Sequence, residues 1–125
     1  MIDLNANYIE DGSSANSQLF ADTSDAVFQY VGPSTIVDQY NQNMYPDVIN
    51  GSGSGTEIVF YYNGNYSPAS GAGIRHISNY KVVYLGIGLE MIQDAAVKNN
   101  IMAKSHAWFH GQISTEEFDF AAKVI

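Results

Sequence analysis

The sequence contains no cysteine, so disulfide bonds, thiol nucleophiles and cysteine metal ligands are excluded, while the redox compartment stays open. Basic side chains are also scarce: five lysine and arginine residues stand against 13 acidic residues, and the net charge is −8. Such a surface repels phosphate backbones and anionic lipids, which argues against nucleic acid as a partner. No apolar run approaches the roughly 18 residues of a membrane helix, so membrane insertion is not expected.

The few basic residues are unevenly placed. All five lie at or after Arg75, so the first 74 positions carry carboxylates and no lysine or arginine. This pattern indicates a solvated acidic surface, which suits an extracellular or cell-surface location, or a calcium site. Asp22 and Asp25 are the candidate calcium ligands, although their spacing is not that of an EF-hand loop.

A chain of 125 residues with 46% hydrophobic residues is long enough for one domain with its own core. Residues 1–25 are predicted to be mostly loop, apart from a short strand at 6–10. Residues 26–30 are β-branched and aromatic, as in a strand. Residues 35–40 fit a helical turn or a short strand equally well, and the structure of residues 112–125 is left open.

Two stronger strand signals follow. Residues 57–76 have the pattern of a β-hairpin, with its turn at Asn63-Gly64-Asn65. Residues 81–87 form the most apolar run, which is typical of a strand buried on both faces, and they are predicted to lie at the centre of the sheet.

One helix is predicted from about 94 to 110. Asp94 is the expected N-cap and Gly111 the residue that ends the helix. Its expected core-facing positions are Val97, Ile101, Met102, Trp108 and Phe109. The predicted fold class is therefore α/β or α+β.

Three stretches of the chain are similar to a known family: YPDVI at 45–49, YKVVYLGIGLE at 80–90, and Ile101-Met102 with Ala107-Trp108-Phe109. They resemble the C-terminal part of the class I glutamine amidotransferase-like superfamily, in particular divergent copies attached to secreted bacterial proteins. The resemblance covers roughly residues 26–109. It implies a flavodoxin-like fold, and it implies that the chain is either the C-terminal piece of a larger domain or a trimmed relative.

The resemblance also bears on catalysis. In active members of the superfamily, the segment after this strand supplies the histidine and glutamate of a Cys-His-Glu triad. Here Gly88 stands where the histidine would lie, only Glu90 matches, and the chain has no cysteine. A cysteine nucleophile needs a neighbouring base. The resemblance therefore implies a non-catalytic copy.

Glu90 is nevertheless a candidate catalytic residue, because it follows a strand that is expected to be buried. Burial would raise its pKa and suit it to acid or base chemistry with His76 or His106. A structural role is the alternative, since such a carboxylate often bonds to backbone amides. His106 and His110 are candidate metal ligands, because they are spaced i and i+4 on the predicted helix; alternatively they interact with the helix dipole.

Tyrosines supply the candidate binding residues. Tyr61, Tyr62 and Tyr66 are close in sequence and are able to stack on sugar rings or contact another protein, or to pack in the core. The expected function is a non-catalytic accessory or structural domain of a secreted or surface bacterial protein, with other domains, identical subunits or carbohydrate as partners. The alternatives are a calcium-stabilised adhesin or self-assembling subunit, and a small hydrolase or metal-binding protein that uses Glu90 with a histidine.

Overall fold

The computed structural model describes residues 4–13, 15–37 and 46–113, and the statements below concern these residues. The fold is α+β, as predicted, with two antiparallel sheets and one α-helix. The elements, in chain order, are β1 (Ala6–Asp11), β2 (Gln18–Ala21), β3 (Ser34–Thr35), β4 (Asp47–Gly51), β5 (Thr56–Tyr62), β6 (Gly71–Ile77), β7 (Lys81–Leu85) and α1 (Ala95–Phe109).

The larger sheet has the strand order β3-β2-β5-β6-β7, and every neighbouring pair in it is antiparallel. The smaller sheet pairs β1 with β4, also antiparallel. A flavodoxin-like fold is built on parallel strands, and the described residues contain no parallel pair. The superfamily resemblance itself stays a prediction.

The predicted β-hairpin is confirmed as β5 and β6. Asn63 and Gly64 adopt φ values of 58° and 70°, the left-handed conformations of a turn that the Asn65 amide closes onto the Tyr62 carbonyl, and this turn opens the loop at 63–70 between the two strands. The Asn63 side chain also accepts hydrogen bonds from the Ser17 and Gln18 amides. The turn therefore fixes the start of β2 as well as the hairpin.

The strand predicted at 81–87 is present as β7, but the prediction that it lies at the centre of the sheet is wrong. Among the described strands it comes last in the sheet order, and its one partner there is β6. All five of its residues are half-buried. Because side chains alternate between the two faces of a strand, both faces are partly covered, and this accounts for an apolar sequence at an edge position.

The smaller sheet lies directly against the larger one. A side chain at Gly71 would collide with the Ile49 carbonyl, and one at Gly86 would collide with the Asp47 carbonyl. The Asp47 amide donates to the Gly86 carbonyl at 3.0 Å. Backbone of β4 thus contacts backbone at one end of the β6–β7 pair, where β6 begins and β7 has just ended.

The prediction of a strand at 26–30 is wrong, because these residues form successive turns. The Asp25 carboxylate accepts hydrogen bonds from the amides of Val27 and Phe28, each at 3.0 Å. A side chain that binds nearby amides in this way competes with strand pairing. Both Val27 and Phe28 are still buried, so the apolar pattern marks core residues on a turn.

The N-terminal part holds more strand than expected. β1 confirms the strand predicted at 6–10, whereas β2 was not predicted. β3 covers Ser34–Thr35, so at the start of the 35–40 segment the structure favours the short strand over the helical turn. Residues 38–40 lie outside the described residues, as do residues 114–125.

The helix is confirmed, with Asp94 as its N-cap. Val97, Ile101 and Trp108 are buried in the core, but Met102 and Phe109 are 55% and 44% exposed, so the predicted apolar face was too wide. Across the described ranges, no helix is long and apolar enough to span a membrane.

Candidate functional site

Glu90 does not lie in the buried setting predicted for it. It is exposed, on a single 3₁₀ turn at Leu89–Met91, and its carboxylate folds back onto Gly88. His76 is buried, and its two ring nitrogens contact the hydroxyls of Thr56 (2.6 Å) and Ser78 (3.0 Å). The structure therefore gives Glu90 neither the burial nor the His76 partner that acid–base catalysis would need.

The metal candidates are dispersed. The rings of His106 and His110 pack against each other, with centroids 4.3 Å apart, on an exposed part of α1. The Asp22 carboxylate accepts from the amide and hydroxyl of Ser24, whereas Asp25 is directed into the core. Within the described ranges, no three histidine, aspartate or glutamate residues are grouped as metal ligands would be.

Asp25 has a structural partner that sequence reasoning missed. Its carboxylate accepts a hydrogen bond from the Arg75 Nε at 2.8 Å, and the two side chains are 2% and 6% exposed. The Arg75 guanidinium also contacts Glu57 at 3.2 Å and lies 5.5 Å from the centre of the Trp108 ring. The buried Arg75 side chain on β6 thus contacts the turn at 25–28 through Asp25 and α1 through Trp108. The partners lie 50 positions apart in the chain, so no local pattern indicates the pair.

An open groove of about 530 Å³ lies at the C-terminal end of α1. It is lined by Asn79, Tyr80, Lys81, Phe109, His110 and Gly111. The Lys81 ammonium donates to the Trp108 carbonyl at 2.6 Å and lies 5.3 Å from the Trp108 ring centre, and burial lowers its pKa. Its position suits the helix C-terminus, where a cation is stabilised by the dipole. The basic group of the groove thus already has a structural role.

The tyrosine candidates separate into two environments. Tyr62 is 1% exposed, and its hydroxyl donates to the Asp47 carbonyl at 2.6 Å, so it is a core residue and its prediction as a binding residue is wrong. Tyr66 is 51% exposed, and Tyr61 is half-buried. The rings of Tyr61 and Tyr66 meet edge to face, with centroids 5.3 Å apart and planes at 71°.

Phe20 completes this group of rings. It lies on β2 directly opposite Tyr61 on β5, and residues in such a pair project from the same face of a sheet. Its ring lies beside Gly64 in the hairpin turn. We name Phe20, Tyr61 and Tyr66 the aromatic corner. Sequence reasoning missed Phe20 because it did not predict β2.

Two carboxylates flank the aromatic corner. Burial raises the pKa of the Tyr61 hydroxyl, and the negative charges of Asp22 and Glu57 raise it further. The Glu57 side chain is 60% exposed, and Asp22 is half-buried. The corner therefore combines apolar ring surface with charged oxygen acceptors, which is the chemistry of a binding surface.

Comparisons with protein-family models, with curated proteins and with solved structures found no match to this chain.

Proposed function

We propose that this chain is a non-catalytic accessory domain of a secreted or surface bacterial protein, and that it binds carbohydrate at the aromatic corner. The observation that supports this most directly is the pair of Tyr61 and Tyr66 rings, set at 71° to each other where β5 continues into the loop at 63–70, with Tyr66 51% exposed. The apolar C–H face of a sugar ring packs well against such surfaces.

The flanking groups fit the same ligand class. Sugar hydroxyls donate hydrogen bonds, and the carboxylates of Asp22, directly after β2, and of Glu57, on β5, are acceptors on the two strands that carry Phe20 and Tyr61. The underlying strands β2 and β5 are held by backbone pairing and by the Asn63 side chain, so the Phe20 and Tyr61 backbones are fixed before a ligand arrives. Preorganisation of this kind lowers the entropic cost of binding.

Tyr66→Ala tests the proposal. The protein is titrated with three β-1,4-linked tetrasaccharides, of glucose, N-acetylglucosamine and glucosamine, and Kd is measured from NMR chemical-shift changes. We expect at least one of them to bind, and Tyr66→Ala to weaken that binding about tenfold or more, because an exposed aromatic contact is removed.

Tyr30→Ala is the matched control. Tyr30 is 84% exposed and is not part of the aromatic corner, so its replacement should leave the affinity unchanged. If none of the three tetrasaccharides binds, or if Tyr30→Ala weakens binding as much as Tyr66→Ala, carbohydrate binding at the corner is refuted.

A further inference from the structure

The surroundings of the aromatic corner are acidic. Asp22 directly follows β2, where its amide donates to the Val59 carbonyl of β5 at 2.8 Å, and Glu57 lies on β5 four residues before Tyr61, so both carboxylates belong to the strand pair that carries the corner. Phe20, Asp22, Glu57, Tyr61 and Tyr66 all belong to the first 74 residues, which contain no lysine or arginine.

The cation that contacts Glu57 is withdrawn from solvent. Arg75 contacts Glu57, but its side chain is only 6% exposed and its Nε already donates to the buried carboxylate of Asp25. One guanidinium therefore faces two carboxylates, Asp25 and Glu57, with Asp22 close by. An anionic ligand at the corner would approach net negative charge, and the guanidinium that contacts Glu57 is too buried to bind it.

A cationic ligand meets the opposite situation. The faces of the Tyr61 and Tyr66 rings carry partial negative charge and attract an ammonium group within about 6 Å. The Asp22 and Glu57 carboxylates accept charge-assisted hydrogen bonds from the N–H groups of an ammonium, and these bonds are stronger than those from a neutral hydroxyl. Ring surface and carboxylates together match a sugar that carries an amine.

We infer that the aromatic corner selects amine-bearing sugars, such as glucosamine units, over neutral and acidic sugars. The inference rests on the proposed carbohydrate-binding function and adds the ligand's charge to it.

The tetrasaccharides of glucosamine and N-acetylglucosamine test the inference, because they share one backbone and differ at the nitrogen, which is a charged ammonium in one and a neutral acetamide in the other. At pH 6 and low salt, we expect the glucosamine tetramer to bind about tenfold more tightly. Raising the salt to about 0.3 M should reduce this difference, since exposed charges are then screened beyond a few ångströms.

Charge-removing variants locate the effect. Asp22→Asn and Glu57→Gln keep an acceptor oxygen for Ser24 and Arg75 respectively, so both variants should fold. Each should reduce the preference for the glucosamine tetramer. Glu90→Gln removes the same charge from an exposed residue outside the corner and should leave the preference unchanged.

The outcomes separate the two claims. Equal affinity for the two tetramers overturns the charge preference while carbohydrate binding stands. A preference that falls equally in Glu90→Gln and Asp22→Asn shows attraction to the overall charge of −8 and also overturns the inference. Binding that Tyr66→Ala does not weaken overturns the proposed function together with the inference.

Discussion

Asp25 and Arg75 form the buried ion pair on which three parts of the chain depend. The carboxylate binds two amides of the turn at 25–28, and the guanidinium lies between β6 and the Trp108 ring. Removing one partner of a buried pair leaves the other charge desolvated and uncompensated. Removing the exposed partner Glu57 costs less, because its carboxylate is largely solvated already and Arg75 keeps its ion pair with Asp25.

Asp25→Ala should therefore lower the free energy of unfolding by about 3–5 kcal/mol, measured by urea denaturation at pH 7. Glu57→Gln, which changes the exposed partner of the same arginine, should lower it by about 1 kcal/mol or less. If Asp25→Ala does not fold, Asp25→Asn gives the comparison. Equal losses for the substitutions at 25 and 57 would contradict this account of the pair.

Single elements show which features were predictable from the sequence. The β5–β6 hairpin and α1 were predicted because their signals are local: Asn63-Gly64 supplies the left-handed turn, and Asp94 and Gly111 mark the helix ends. The segment at 26–30 was assigned wrongly because its conformation depends on the Asp25 carboxylate. β7 was misplaced because an apolar pattern reports covered faces and not the strand order.

The candidate site was also predictable only where its residues are close together in the sequence. Tyr61 and Tyr66 are five positions apart around one turn, so the sequence indicates both of them. Phe20 and Asp22 join them only through the pairing of β2 with β5, across about 40 positions of chain. That register depends on tertiary packing, which periodicity alone does not specify.

The N-cap of α1 provides a test at the scale of the element. The Asp94 carboxylate accepts hydrogen bonds from the amides of Ala96 (2.9 Å) and Val97 (3.3 Å). Asp94→Ala should lower the free energy of unfolding by about 1 kcal/mol, because these amides lose their partner. Asp94→Ser should retain most of the stability, since serine also caps helices. An unchanged urea midpoint in Asp94→Ala would show that packing of Val97, Ile101 and Trp108 alone sets the helix start.

At the scale of the whole molecule, one acidic contact lies where the two sheets meet. Asp11 and Asp47 are directly opposite each other on β1 and β4. The pKa of Asp47 is raised, first by burial and then by the carboxyl group of Asp11. The folded protein therefore holds this proton more tightly than the unfolded chain does.

Asp47 should accordingly make stability decrease with rising pH. Its contribution is fully present below the unfolded pKa of 3.8 and is lost as the pH rises through the raised folded pKa. We expect the unfolding free energy of the wild type, minus that of Asp47→Asn, to fall between pH 3 and pH 7 in urea titrations. Asp11→Asn should reduce this dependence, because it removes one cause of the shift. If the difference in unfolding free energy between the wild type and Asp47→Asn stays constant with pH, the prediction for Asp47 is contradicted.

The contact of β4 with Gly71 and Gly86 has a consequence for how this fold can diverge. At both positions the space for a β-carbon is already filled by a backbone carbonyl. Every residue has a backbone carbonyl, so no compensating substitution elsewhere can remove it. Surface and even core residues can drift in size and polarity while the packing adjusts. Two glycines 15 positions apart, one opening β6 and one following β7, are therefore the feature by which a distant descendant of this domain should still be recognisable.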